Sequence, residues 1–217
     1  MIPIQYALRR RMMINASKGL PISDLPLGAL IRIADSDGGS GAANYEIADI
    51  NNLVSSGVVL VRKNIHSESA FGSSTTYPDS TLDNKMTSIY DSLPERLQSK
   101  IMDATFALEG SGSITRKVFA LTITMAGFGN NSGVAEGKAL QLYTSDANRI
   151  KTYNGAAGVW WLSSRSNRTL SRLIRSDGTA SVTSPSYSDG VVPAFVISSE
   201  TPYNATPNTD GSYNLIL

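Results

Sequence analysis

The chain contains no cysteine and a single histidine, His66, among its 217 residues. Disulfide staples, thiolate nucleophiles and zinc-thiolate sites are therefore excluded, stability has to come from packing, and the redox compartment stays open. No apolar run approaches the roughly 20 residues of a membrane-spanning helix, so no membrane span is expected. The opening MIPIQYALRRRMMINASKG also lacks the uninterrupted apolar stretch of a secretion signal, and export by that route is not expected. Charge of one sign is missing too. With 19 Lys plus Arg against 18 Asp plus Glu the formal net charge is +1, which argues against broad electrostatic binding to nucleic acid or membranes. No nucleic-acid partner is expected.

Catalytic patterns are equally sparse. His66 sits in the polar stretch NIHSES, and no Gly-x-Ser-x-Gly elbow accompanies it. GSGSITRK lacks the spacing of a phosphate-binding loop. Glu109, Glu136 and Asp146 are far apart in sequence, with no acidic neighbour to suggest the paired carboxylates of a glycosidase. Asp35, Asp37 and Gly38 resemble the start of a calcium loop, but Gly39 occupies the fifth position, where Asp or Asn is needed. A hairpin turn with Asx hydrogen bonds is the better reading there. The expectations are no enzyme, no cofactor and no metal, with His66 an exposed loop residue.

What the chain does have is abundant Gly, Ser, Thr and Asn with only 17% charged residues, a balance common in β-rich extracellular and virion surface proteins. Its length suits one domain with extensions. Residues 4–16 read as a short helix with Ile4, Leu8 and Met12 on one stripe and Arg9, Arg10 and Arg11 as a basic collar. So short a helix is marginal alone, so the stripe is expected to dock on its own domain, on a sister copy, or in a larger assembly. Strands are expected at 28–35, 45–50, 58–62 and 118–124. A helix opens near Asp79 or Ser80 with Leu82, Met86, Ile89, Tyr90 and Leu93 inward and ends at Pro94; another is expected over EGKALQLYTSDANRI with Leu140 and Tyr143 inward. The last third reads as a strand at VWWL, a hairpin around Ser176 to Gly178 and a closing strand at GVVPAFVI. NLIL at the end is expected to pair as an edge strand or dock on a neighbour.

Binding is the function class left. Loops of Ser, Asn, Gly and Tyr offer adaptable hydrogen bonds with stiff aromatic anchors, or merely soluble turns. Segments 66–78, 127–133 and 163–172 have that character, and the candidate contacts in them are Tyr77, Phe128, Asn130, Asn131, Arg165, Asn167 and Arg168.

The succession VFALTITMAGFG, EGKAL, ANRI, NGAAGVWWLSS, SDGTASV and SYSDGVVPAFVI resembles a domain of unknown function common in gut bacteria and their phages, with the signature WWLRS, a glycine-containing hairpin, then GVRPAF. The resemblance covers residues 25–197 and is tight from 117 onward. Two positions depart from it, Ser163 and Val192, where the signature has arginine. That family is in turn similar to C-type-lectin-like and formylglycine-generating-enzyme-like folds. The resemblance implies an α+β domain, twisted antiparallel sheets with two main helices, plus the N-terminal helical extension. Trp160, Trp161 and Phe195 are its implied core, with one tryptophan ring inward and the other covering the opposite face of the strand. The calcium motifs of the lectins, EPN and WND, are absent, which disfavours sugar binding through calcium.

IQYALRRRMM resembles the start of phage virion structural modules. The implied division is an anchor and linker at 1–24, a display domain at 25–198 and a tail at 199–217. The expectation is a phage virion protein, assembled in the host cytoplasm, that displays a C-type-lectin-like domain for adhesion to a host-surface glycan or protein, or decorates the particle. Other virion proteins and further copies of the chain are its expected partners. The alternatives are a purely structural capsid, neck or tail component, and a bacterial binding module without catalysis.

Overall fold

In the computed structural model the described residues are 19–35 and 41–217. The anchor residues Ile4, Leu8, Arg9, Arg10, Arg11 and Met12, and the turn positions Asp37, Gly38 and Gly39, lie outside them.

Strand β1 (Leu20–Pro21) leads through a 3-10 turn at Ile22–Asp24 into β2 (Leu30–Ile33), β3 (Ala43–Ile50) and β4 (Gly57–Arg62). All of β4 is buried, because it lies between two strands in a sheet covered on both faces; GVVLVR therefore reads as a continuous apolar run rather than an alternation. β5 (Ser67–Ala70) is a polar edge strand. Helix α1 (Thr81–Ser92) opens on Ser80, whose hydroxyl accepts from the Asp83 amide at 3.1 Å. It buries Leu82, Met86 and Ile89, the face its spacing predicts. Pro94 ends it, and a single turn, α2 (Glu95–Gln98), follows.

Next come β6 (Ile101–Met102), the hairpin of β7 (Ala104–Leu108) and β8 (Gly112–Arg116), and β9 (Val118–Phe119). A long irregular stretch reaches α3 (Asp146–Arg149), then the small hairpin of β10 (Lys151–Tyr153) and β11 (Ala156–Gly158). The remainder is β12 (Trp160–Arg165), β13 (Ser171–Ile174), β14 (Ala180–Thr183), β15 (Ser188–Val191), β16 (Ala194–Ser198), β17 (Pro202–Tyr203) and β18 (Tyr213–Asn214).

Two sheets carry the core. The larger runs β18-β2-β3-β4-β16-β6, with β9 also paired to β16; the smaller runs β14-β13-β12-β15-β5. The tail strand β18 pairs parallel with β2, so the C-terminal stretch closes an edge of the larger sheet. Trp160 and Trp161 point to opposite faces of β12 and both are fully buried. The Trp160 indole donates to the Arg149 carbonyl at 3.0 Å; Trp161 donates to the Ser69 carbonyl at 2.9 Å and meets the Phe71 ring edge-on at 5.6 Å. Phe195 is buried against Tyr45, with ring centroids 5.1 Å apart.

The class is α+β in a mostly β form. Among the described residues only α1 exceeds four residues, so the second main helix is not formed. At EGKALQLYTSDANRI only Asp146–Arg149 is helical. Leu140 and Tyr143 are buried as the spacing predicts, but the Leu140 amide donates to the Met125 carbonyl and the Leu142 amide to that of Ala48, each at 3.0 Å. These long-range bonds replace the i to i−4 ladder. The strand expected over 118–124 stops at Phe119, because side-chain hydroxyls then take over: the Met125 amide bonds to Thr122 Oγ1 at 3.0 Å and the Ile123 amide to Ser164 Oγ at 2.8 Å.

Candidate functional site

Strand alternation on β3 sends Tyr45 and Glu46 to opposite faces, and each becomes the centre of a buried charge cluster. Tyr45 pairs across the sheet with Arg62. The Asp35 carboxylate accepts from Arg62 Nε at 2.8 Å and from the Tyr45 hydroxyl at 2.7 Å. Burial, then the Asp35 charge, push the Tyr45 phenol well above its ordinary pKa. On the other face Glu46 accepts from Lys151 Nζ, from the Tyr143 hydroxyl at 2.9 Å and from Lys63 Nζ at 3.1 Å. Burial lowers the Lys151 pKa against the attraction of Glu46. Asp35 is thus a buried counter-ion for Arg62.

Beside these clusters, between β3–β4 and the β10–β11 hairpin, opens a cleft of about 640 Å³. Its wall presents Arg32, Asn44, Lys63, Asn64, Thr152 and Asn154, and among the described residues no carboxylate lines it. Asp210 stands behind the rim and fixes two of these groups, at 3.2 Å from Asn44 Nδ2 and 3.6 Å from Arg32 Nη1. The Ser212 hydroxyl and amide, then Asn44, lower the Asp210 pKa to about 2. Thr152 donates to Asn64 Oδ1 at 2.8 Å, locking the hairpin to β4's exit. Asn154 and Gly155 make the tight turn with φ of 51° and 83°. The Lys63 side chain is half-exposed and reaches the cleft while holding Glu46. His66 also lines the cleft; it is buried, with Nδ1 3.0 Å from Ser67 Oγ, so it is a wall residue rather than the exposed loop residue expected.

The loop residues singled out from sequence are elsewhere. Tyr77 is buried and accepts the Ala120 amide at 3.1 Å; burial and the Asp83 charge raise its pKa. Asn131 is buried too, donating to Glu136 Oε1 at 3.1 Å and the Arg165 carbonyl at 2.8 Å and accepting from Arg172 Nε at 3.0 Å. Arg165 forms an ion pair with Glu109. Asn167 Oδ1 accepts from the Thr169 and Leu170 amides at 2.8 and 2.9 Å, an Asx turn that shapes its own loop. Phe128 is exposed at its edge, with the Arg149 guanidinium 4.0 Å from its ring centroid. Only Asn130 and Arg168 are exposed without such bonds. Tyr77 and Asn131 are therefore corrected from ligand contacts to buried framework residues, while Arg165 stays partly exposed beside Glu109.

The fold brings Asn131 and Arg165 together around a fully buried carboxylate, Glu136. It accepts from the Glu109 amide at 2.7 Å, from Asn131 and from the Ser164 hydroxyl. Glu109 and Glu136 thus meet through an amide and not as an acid–base pair. The one sequence signal for this knot is the Ser163–Ser164 pair directly after WWL, polar residues in an otherwise apolar strand.

These observations define a mostly β module built on two sheets, with buried ion pairs beside a basic, polar cleft. The chain belongs to the family of the domain of unknown function DUF6273, whose model matches residues 55–199. The match runs from just before β4 through β16, while β2 and β3, outside it, hydrogen-bond onto β4 in the same sheet. No match was found among curated proteins or among solved structures. Among the described residues no helix is long and apolar enough to cross a membrane.

Proposed function

We propose that the protein is a phage virion surface protein that displays this domain to a host-surface glycan or protein, binding it without catalysis. The cleft carries the binding part of this reading. Its lining offers cationic and amide side chains with no carboxylate among the described residues, which suits a ligand rich in acceptor oxygens, such as an acidic or heavily hydroxylated surface polymer.

Support for the virion part comes from the resemblance of the N-terminal sequence. Several copies on one particle would add avidity to weak single contacts. The experiment is binding of the purified full chain to host cells and isolated surface polymers. The Lys63→Gln/Asn154→Ala variant should bind about tenfold more weakly, and wild-type binding should fall with added salt. Equal binding by variant and wild type would overturn the cleft as the site.

One observation favours the purely structural alternative. Leu20, Ile216 and Leu217 are exposed beside an apolar cleft of about 410 Å³ lined in part by Gly19 and Tyr203. Such a surface suits a neighbouring virion protein. Particles that incorporate the chain normally but adsorb to no host would favour that alternative.

A further inference from the structure

The face of the smaller sheet that carries Trp161 is covered by Phe71 at one end and open at the other. Cross-strand pairs Trp161–Leu173 and Leu173–Ser181 place those residues on one face, and Arg175, two beyond Leu173, shares it. Trp160 pairs with Gly190, so Asp189 falls on the same face as Trp161. Leu173, Arg175, Ser181 and Asp189 line a shallow groove of about 430 Å³, with Tyr187 also in its lining.

Isolated exposed apolar side chains are ordinary, but two further features set this place apart. Tyr187 is 63% exposed, the highest value among the exposed large hydrophobics. Asp189 is half-buried yet makes no ion pair or side-chain hydrogen bond with any described residue, and Arg175 is exposed, with the charge of Asp177 as its nearby attraction. Burial, then the charge of Glu68 on the adjacent strand β5, raise the Asp189 pKa. A solvent-facing aromatic, a half-buried acceptor without a hydrogen-bonding partner and an exposed donor thus line one groove.

We propose that this groove binds the ring of a neutral saccharide, with its apolar face on Tyr187 and its hydroxyls shared between Asp189 and Arg175. An anionic ligand would leave Asp189 facing like charge, and a cationic one would do the same to Arg175. Vicinal hydroxyls both donate and accept, so a neutral sugar serves both side chains. This deepens the adhesion reading and rests on it, but at a surface formed by strands other than those lining the basic cleft.

The test is a protein-observed NMR titration of the full chain with maltose, cellobiose, lactose and N,N′-diacetylchitobiose at millimolar concentration. At least one probe should perturb the amides of Arg175, Ser181 and Ser188. Tyr187→Ala should weaken that binding about tenfold, with Tyr187→Phe close to wild type and Lys63→Gln/Asn154→Ala without effect. No perturbation of this face by any of the four probes, or equal binding by Tyr187→Ala, overturns the proposal. The two readings fail separately: host adhesion that persists when the groove binds no sugar sinks only the groove, whereas sugar binding here with no adhesion sinks the adhesion reading.

Discussion

Asp35 and Arg62 form an ion pair almost wholly removed from water, with Oδ2 2.8 Å from Nε and the side chains 0% and 3% exposed. The same guanidinium donates through Nη1 to the carbonyls of Asn64 and Ile65 at 3.2 and 2.9 Å. One side chain therefore holds the end of β2, the exit of β4 and the floor of the basic cleft in a single arrangement. Removing one member of such a pair leaves the other charge buried, so Arg62→Met should cost about 3–5 kcal/mol in urea unfolding. The double variant Asp35→Leu/Arg62→Met should recover part of that loss. A single-variant cost below about 1 kcal/mol would show that the pair is solvated.

Glu46 and Lys151 should respond unequally to substitution. Glu46 also accepts from Tyr143 and Lys63, whereas the Lys151 ammonium is fully buried with Glu46 as its one carboxylate among the described residues. Lys151→Met leaves Glu46 two donors, while Glu46→Leu strands a buried cation. We expect the second to cost more by about 2 kcal/mol, measured by denaturant midpoints at unchanged m-value. Equal costs would refute this asymmetry.

Ser164→Ala tests the knot around Glu136. The substitution removes the donor to a fully buried carboxylate and the acceptor for the Ile123 amide. Leaving these groups unsatisfied should cost about 2 kcal/mol or more. Hydrogen exchange should rise at Ile123 and Glu109 before it rises in β4.

Gly178 has φ of +86°, and a Cβ there would stand 2.0 Å from the Asp146 carbonyl oxygen. Strain and backbone clash together should make Gly178→Ala destabilising by about 2 kcal/mol or more. A thermal midpoint equal to wild type would mean that the β13–β14 turn can move away from α3.

Asp189 carries a raised pKa, so the sign of its pH effect is fixed. A carboxyl with a higher pKa folded than unfolded favours the fold at low pH, and that contribution is lost as pH rises through the folded value. At neutral pH Asp189→Asn should therefore stabilise slightly, by at most about 0.5 kcal/mol, while weakening saccharide binding. Binding by the wild type should fall as pH drops and the carboxylate protonates. Destabilisation by Asp189→Asn at neutral pH would contradict this account.

Much of the framework was legible in the sequence because it depends on local periodicity. The apolar run of β4, the capped stripe of α1 and the paired tryptophans of β12 each announce their environment within a few residues. The stretch from Leu121 to Tyr143 did not, since its backbone bonds go to Ser163, Ser164 and Ala48, far along the chain. Two of the candidate loop residues are tied into the fold in the same long-range way. Asn131 and Arg165 have the composition of adaptable binding residues, but a distant buried carboxylate, Glu136, claims the first, and Glu109 pairs with the second.

By itself the sequence determined that this chain folds without disulfides, that β4 and β12 are core strands, and that one amphipathic helix packs beside them, because side-chain period and burial are coupled locally. Only the tertiary structure decided which polar side chains are framework and which face outward. A carboxylate or guanidinium in water and one in the interior are identical in sequence; desolvation, which demands a partner for every buried charge, assigns Asp35, Glu46 and Glu136 to the fold and leaves Arg175, Asp189 and the basic cleft to face outward.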